Sequence, residues 1–240
     1  MKTIGLLGGM SWESTAVYYR QLNELVREHG GGLHSAKILM HSFDFAEIVA
    51  LQQAGDWKKA SDLLAEAGQN LERAGANLLL ICTNTMHQVA ADVQAAVSIP
   101  LVHIVDVTAD AIRAKGMRKV GLLGTKYTMA MDFYRERMLL HGIEVIVPCD
   151  EQQAVVNGVI FDELCQGVVQ ECSRHQYQGV VQALIERGAE GIVLGCTEIM
   201  LLLSQEHSPV PLFDSTMLHV QRAVALAIQA DKQVGATLTC

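Results

Sequence analysis

Two nine-residue stretches of this chain resemble each other in pattern. Gly75-Ala76-Asn77-Leu78-Leu79-Leu80-Ile81-Cys82-Thr83 returns as Gly188-Ala189-Glu190-Gly191-Ile192-Val193-Leu194-Gly195-Cys196, so that Thr83 falls opposite Cys196. Each copy is a glycine turn followed by an apolar run that ends in small polar residues. Such a run is what a strand buried on both faces requires. Two further pairs follow in the same order. Gly5-Leu6-Leu7-Gly8 matches Gly121-Leu122-Leu123-Gly124, and Ile99-Pro100-Leu101 matches Val210-Pro211-Leu212. One pair alone is chance-level. Three pairs in order, with spacings that drift by a few residues, imply two homologous halves.

Between the repeated runs the pattern is helical. Trp12–His29 places Val17, Leu22, Leu25 and Val26 on one face, and Asp56–Ala74 does the same with Ala60, Leu63, Leu64, Ala67 and Leu71. Further helices are expected near Met129–His141, over Tyr177–Arg187 and from Ser215 to Ala230, before a frayed end. Strands are expected at Lys2–Leu7, Ala36–Met40, Asn77–Cys82, Pro100–Val105, Lys119–Leu123, Glu144–Val147, Gly191–Gly195 and Val210–Phe213. Strands alternating with helices read as α/β, with parallel sheets flanked by helices. The expected division is 1–104 plus the C-terminal helix 214–240, and 105–213.

Composition excludes several classes. Half of the residues are hydrophobic and 18% are charged, too apolar for a disordered chain. The net charge of −8 comes without a Lys/Arg block, which argues against nucleic acid as a partner. No run approaches about 18 apolar residues, so no membrane span is expected. The short N-terminal apolar run is broken by glycine and does not read as a signal peptide. The expected location is cytoplasmic. The six cysteines form no CxxC pair and no zinc-spaced cluster, so no metal is expected and Cys82, Cys149, Cys165, Cys172 and Cys240 read as structural or incidental thiols. Gly5-Leu6-Leu7-Gly8-Gly9 lacks the G-x-G-x-x-G spacing of a dinucleotide loop.

In open α/β sheets ligands bind beyond the carboxyl ends of the strands, where Thr83 and Cys196 both fall. Halves packed about a pseudo-twofold would face these residues across one cleft. A proton-bearing group on each side of one carbon is what stereochemical inversion requires. The neighbours Asn84-Thr85 and Thr197-Glu198, with backbone N–H groups, suit a carboxylate.

Gly8-Gly9-Met10-Ser11-Trp12-Glu13-Ser14-Thr15, Cys82-Thr83-Asn84-Thr85-Met86-His87, Gly124-Thr125 and Gly195-Cys196-Thr197-Glu198 together resemble the aspartate/glutamate racemase family, cofactor-independent amino-acid racemases that use two cysteines. The likeness spans essentially the whole chain and is nearest to the enterobacterial L-aspartate/glutamate-specific members. It implies two α/β domains, an active site in the cleft, no cofactor and a homodimer. It also implies Met10 and Gln52 as substrate contacts, with Ser11, Asn84, Thr85, Thr197 and Glu198 beside them.

One departure has a chemical consequence. The family motif Cys-Asn-Thr reads Thr83-Asn84-Thr85 here, and Cys82, one residue earlier, points to the opposite face of a strand. A threonine hydroxyl gives or relays a proton more readily than it takes one. Cys196 is therefore the expected base and Thr83 the opposite-face donor, and the resemblance implies that Cys196 faces the α-hydrogen of the L-enantiomer, which biases rates toward L-to-D conversion. A second departure is that Asp44–Trp57 and Cys149–Ser173 hold no Lys or Arg for a distal carboxylate, leaving Gln52, Lys126 or helix-end N–H groups. The single thiol keeps open a decarboxylase or cis-trans isomerase of the same superfamily, and a non-enzymatic sensor remains a third reading. His87 reads as the start of the next helix or as support for Thr83. His41, His103 and Asp106 fall near expected strand ends, and Asp214 suits the cap of the last helix.

Overall fold

The computed structural model describes residues 1–235. Packing divides the chain into a first unit, Met1–His103 with the segment from His219 onward, and a second unit, Ile104–Leu218. In the first, β1 (Ile4–Gly8), α1 (Trp12–Gly30), β2 (Ile38–Ser42), α2 (Phe45–Ala54), α3 (Trp57–Arg73), β3 (Leu78–Ile81) and α4 (Ala90–Ala96) follow in order, with a 3-10 turn at Thr85–Val89. The second has α5 (Ile104–Ala114), β4 (Lys119–Gly124), α6 (Lys126–Ala130), α7 (Asp132–Leu140), β5 (Glu144–Ile146), α8 (Asp150–Asp162), α9 (Glu171–Glu186), β6 (Gly191–Gly195), α10 (Ile199–Leu202) and β7 (Leu212–Asp214). Helix α11 (Ser215–Gly235) begins in the second unit and continues in the first.

Both sheets are parallel, ordered β2-β1-β3 and β5-β4-β6-β7. Their registers correspond at repeat-equivalent positions. Gly5 pairs with Leu79 where Gly121 pairs with Ile192, and Leu79 bridges Leu101 where Ile192 pairs with Leu212. The backbone N–H of Leu79 donates to Pro100 O, as that of Ile192 does to Pro211 O, each at 2.9 Å. The same clamp starts each sheet. Asn77 Oδ1 accepts from Thr3 N at 2.8 Å, and Glu190 Oε2 accepts from Lys119 N at 2.9 Å.

The apolar runs work because alternate side chains leave opposite faces of a strand. In the second sheet Leu123, Ile192 and Leu194 join one buried cluster with Val180, Val181 and Leu184 of α9. Val120, Leu122 and Val193 join another with Ile104, Val105 and Ile112 of α5. The first sheet sends Leu7, Leu79 and Ile81 to a core built on the α3 stripe of Ala60, Leu64, Ala67 and Leu71.

Several expectations are corrected. Pro100–Val105 is not a strand: only Leu101 bridges β3, and Ile104 opens α5, where Ile104, Val105, Thr108, Ala109 and Ile112 recur at helical spacing on its buried side. Met129–His141 is two helices, because Met131 is extended (φ −80, ψ 146) and ends α6. Helix α9 starts at Glu171 rather than Tyr177. The expected domain boundary at residue 214 moves to His219, since the start of α11 is tied to the second unit by Ser215 Oγ, which donates to Leu194 O at 2.8 Å. Helix α11 runs to Gly235, past the expected Ala230, and Cys240 lies outside the described residues. Helix α2 and helix α8 were not expected at all, though Asp44 and Gly55 bracket the first. No described helix is long and apolar enough to cross a membrane.

Candidate functional site

Beyond the carboxyl end of β1 the chain turns on two glycines. A Cβ on Gly8 would lie 2.5 Å from Thr15 Cγ2, and Gly9 has φ 83, so the turn admits no larger residue without displacement. Thr15 Oγ1 accepts from Gly9 N and donates to Ser11 O, both at 2.8 Å. Ser11 caps α1 by accepting from Ser14 N, and Ser14 Oγ donates to Cys82 O at 3.0 Å, which ties this turn to the end of β3. The Met10 side chain is buried in the first core. Gln52 of α2 directs its amide to Met86 Sδ at 3.2 Å.

Past β3, Cys82 is fully buried and its thiol pKa is raised by burial, while Thr83 is half-buried. Asn84 and Thr85 are buried and begin the 3-10 turn, and His87 N donates to Asn84 O at 3.1 Å. His87 is also buried, with Nδ1 2.8 Å from Thr83 O. A carbonyl only accepts, so Nδ1 carries the proton. The His87 ring meets His103 at 4.7 Å and His219 at 5.6 Å between centroids, both edge-on. His219 Nε2 donates to Val102 O at 2.6 Å, and its Nδ1 accepts from Tyr18 OH at 2.9 Å. Desolvation lowers the His219 pKa to about 4.

Sequence spacing alone could connect His87 with Thr83, one helical turn apart. It carried no signal for His219, which α11 brings in from 117 residues beyond Val102.

The second unit gathers a different set. Cys196, past β6, keeps some exposed surface although its sulfur is desolvated. Its Sγ donates to Glu198 Oε2 at 2.9 Å, and Thr197 Oγ1 donates to the same oxygen at 2.7 Å. Desolvation pushes the thiol pKa well above its usual value, and the Glu198 charge and hydrogen bond push it further. The resting sulfur is thus a thiol, the reverse of the low-pKa thiolate of an exposed, cation-flanked cysteine. Thr125 caps α6, as Ser11 caps α1. Asp214 caps α11 by accepting from Thr216 N at 2.9 Å and Met217 N at 3.0 Å.

Other candidates stand apart from these groups. Asp106 is not at a strand end but in the first turn of α5, where it accepts from Arg137 Nε and Nη2 at 2.6 Å each and faces His141 Nε2 at 2.9 Å. His41 packs on Phe43. Lys126 is exposed at the start of α6. Cys149 and Cys172 are exposed, and Cys165 packs against the second unit's core. A cavity of about 560 Å³ in the second unit is lined by Arg135, Cys149, Gln152 and Arg187, among others, and touches neither Cys196 nor Glu198.

The model of the Asp/Glu/Hydantoin racemase family matches residues 7–223. The broad specificity amino-acid racemase RacX of Bacillus subtilis (strain 168) is 25% identical over 217 residues, 89% of this chain and 92% of that protein. A solved structure from Yersinia pestis, assigned to the Asp/Glu racemases, is 50% identical with TM-score 0.91, covering 95% of this chain and 100% of that one. An aspartate racemase homologue from Pyrococcus horikoshii OT3 is 38% identical with TM-score 0.85, covering 95% and 99%.

Proposed function

The chain belongs to the Asp/Glu/Hydantoin racemase family, and on that premise we propose that it is a cofactor-independent racemase of acidic amino acids, converting L-aspartate and L-glutamate to their D-enantiomers. The observation that carries the reading is the Cys196–Glu198 contact beyond β6, at the repeat position that matches Thr83 beyond β3. Two proton-handling groups of unequal acidity at equivalent positions suit a two-base inversion with a preferred direction.

In this reading Cys196 is the base for the L-substrate. Its thiol proton passes to Glu198 when the substrate ammonium lies against the sulfur, because a cation nearer the sulfur than the carboxylate favours the thiolate. The thiolate then takes the α-proton. The carbanion shares its charge with the α-carboxylate, which becomes enediolate-like, and donors from Asn84, Thr85 and Thr197 stabilise that charge. Thr83 returns a proton to the opposite face and is itself reprotonated by water, and the hydroxide so formed takes the proton held by Glu198, which restores the Cys196 thiol and the Glu198 carboxylate. Met10, Ser11 and Gln52 belong to the same reading as substrate contacts, Met10 through its backbone because its side chain is buried in the core. The equilibrium between enantiomers stays at one, so the bias lies in rates alone. Acidic substrates follow the Yersinia and Pyrococcus relatives, while the broad specificity of the Bacillus relative makes neutral amino acids the comparison to run. The same reading includes a cytoplasmic homodimer, checked by light scattering.

Proton NMR in D2O with L-aspartate and L-glutamate tests it, with Cys196→Ala as control. The expected result is loss of the α-proton signal and appearance of D-enantiomer on chiral chromatography, both absent in the control. No exchange with either acid, release of carbon dioxide, or full activity in Cys196→Ala overturns it.

A further inference from the structure

We infer that His87 is a positioning residue for Thr83: its Nδ1–H, held on the Thr83 carbonyl, sets the turn that aims the Thr83 hydroxyl. The inference rests on the racemase reading above. A hydroxyl is a poor acid, so its use as a proton donor depends on its aim at the carbon. The aim of a Thr side chain follows its backbone closely, because β-branching leaves few rotamers.

The backbone at Thr83 is held from its carbonyl side. His87 Nδ1 donates to Thr83 O at 2.8 Å, and His87 N closes the turn on Asn84 O at 3.1 Å. The ring itself has little freedom. It is 3% exposed and meets the edges or faces of His103 and His219 at 4.7 and 5.6 Å. His219 is in turn fixed at both nitrogens, by Val102 O at 2.6 Å and Tyr18 OH at 2.9 Å. Three elements far apart in sequence thus converge behind one threonine. The Nδ1 tautomer matters because the Nε2–H form places a lone pair against the carbonyl.

Two substitutions separate the nitrogens. The amide nitrogen of Asn reproduces the position of Nδ1, and that of Gln reproduces Nε2. His87→Asn, His87→Gln and His87→Leu are compared in D2O with L-aspartate, measuring inversion against α-proton exchange with retention. Exchange reports Cys196 alone, whereas inversion also needs Thr83. The expected result is that inversion relative to exchange falls about tenfold or more in His87→Gln and His87→Leu, and recovers in large part in His87→Asn.

A general loss of packing lowers both rates together and leaves the ratio unchanged, which overturns the inference. Recovery by Gln and not Asn also overturns it, by moving the role to Nε2. In the unsubstituted protein, 15N shifts of His87 are expected to report Nδ1–H, and an Nε2–H tautomer contradicts the contact independently of activity. Absence of any exchange in the unsubstituted protein defeats the racemase reading instead, so the two failures are distinguishable.

Discussion

Replacing His219 by Gln tests how the buried imidazole cluster responds to acid. His219 is fully buried, and both ring nitrogens are occupied in the neutral form, one donating to Val102 O and one accepting from Tyr18 OH. Protonation removes the acceptor and places a charge in the core. Burial accordingly lowers the pKa from 6.5 to about 4. As pH falls, the unfolded chain binds this proton before the folded one does, so stability is full above the unfolded pKa and declines through the window between the two values. Linkage puts the loss at about 2 kcal/mol between pH 7 and pH 5, and at about 3 kcal/mol by pH 4. Gln at this position keeps a donor for Val102 O and cannot titrate.

The assay is urea unfolding at several pH values, comparing midpoints at constant slope. Burial raises the Asp214 pKa, so that group acts in the opposite sense here, but it is common to both proteins and cancels in the difference. The unsubstituted protein should lose stability faster than His219→Gln from pH 7 to 5, by the amount above. Parallel curves refute the reasoning, as does an NMR titration in which His219 protonates near 6.5. The NMR measurement needs no variant, so the test survives a poorly folded substitution.

Three further outcomes follow from particular contacts. Glu198→Gln removes the charge that adds to burial in holding up the Cys196 thiol, so alkylation of the Cys196 peptide, read by mass spectrometry, should move to lower pH; an unmoved profile contradicts this. Gly121→Ala places a Cβ 2.7 Å from Ile192 Cδ1 and 2.8 Å from Leu184 Cδ1, and Gly5→Ala places one 2.7 Å from Leu79 Cδ2. Each should cost about 1–3 kcal/mol in urea unfolding, and no loss at either shows more slack in the core than the contacts allow. Asp106→Asn should cost about 1 kcal/mol, a figure discounted for partial exposure. Burial would raise the Asp106 pKa, but its bonds to Arg137 and His141 outweigh this and hold it below 3.8. That contribution is present above the unfolded pKa and lost as pH falls below it, so the variant should show a shallower decline in stability under strong acid.

The main buried strands were legible in the sequence, because a doubly buried strand needs an uninterrupted apolar run and the repeat marks equivalent runs. The repeat aligns Gly5 with Gly121 and Leu79 with Ile192, but that Gly5 pairs with Leu79, Gly121 with Ile192, and the strand order itself are read from the structure. Thr83 and Cys196 stand out as candidates for a related reason: the residue after each run is where such a sheet presents ligand-binding groups. Periodicity misled at Pro100–Val105, where apolar residues serve first a bridge and then the buried face of a helix, and an apolar run of that length does not say which.

What only the tertiary structure decided is the state of the functional groups. That Cys196 rests as a thiol follows from desolvation and from Glu198 being turned toward it, and a side-chain rotamer leaves no trace in sequence spacing. That Thr83 is backed by three imidazoles depends on α11 returning to the first unit, which places His219 against Tyr18 and Val102. Local patterns specify strands and turns because backbone geometry is periodic. Protonation and aim depend on neighbours brought together by the fold, and these have no period to read.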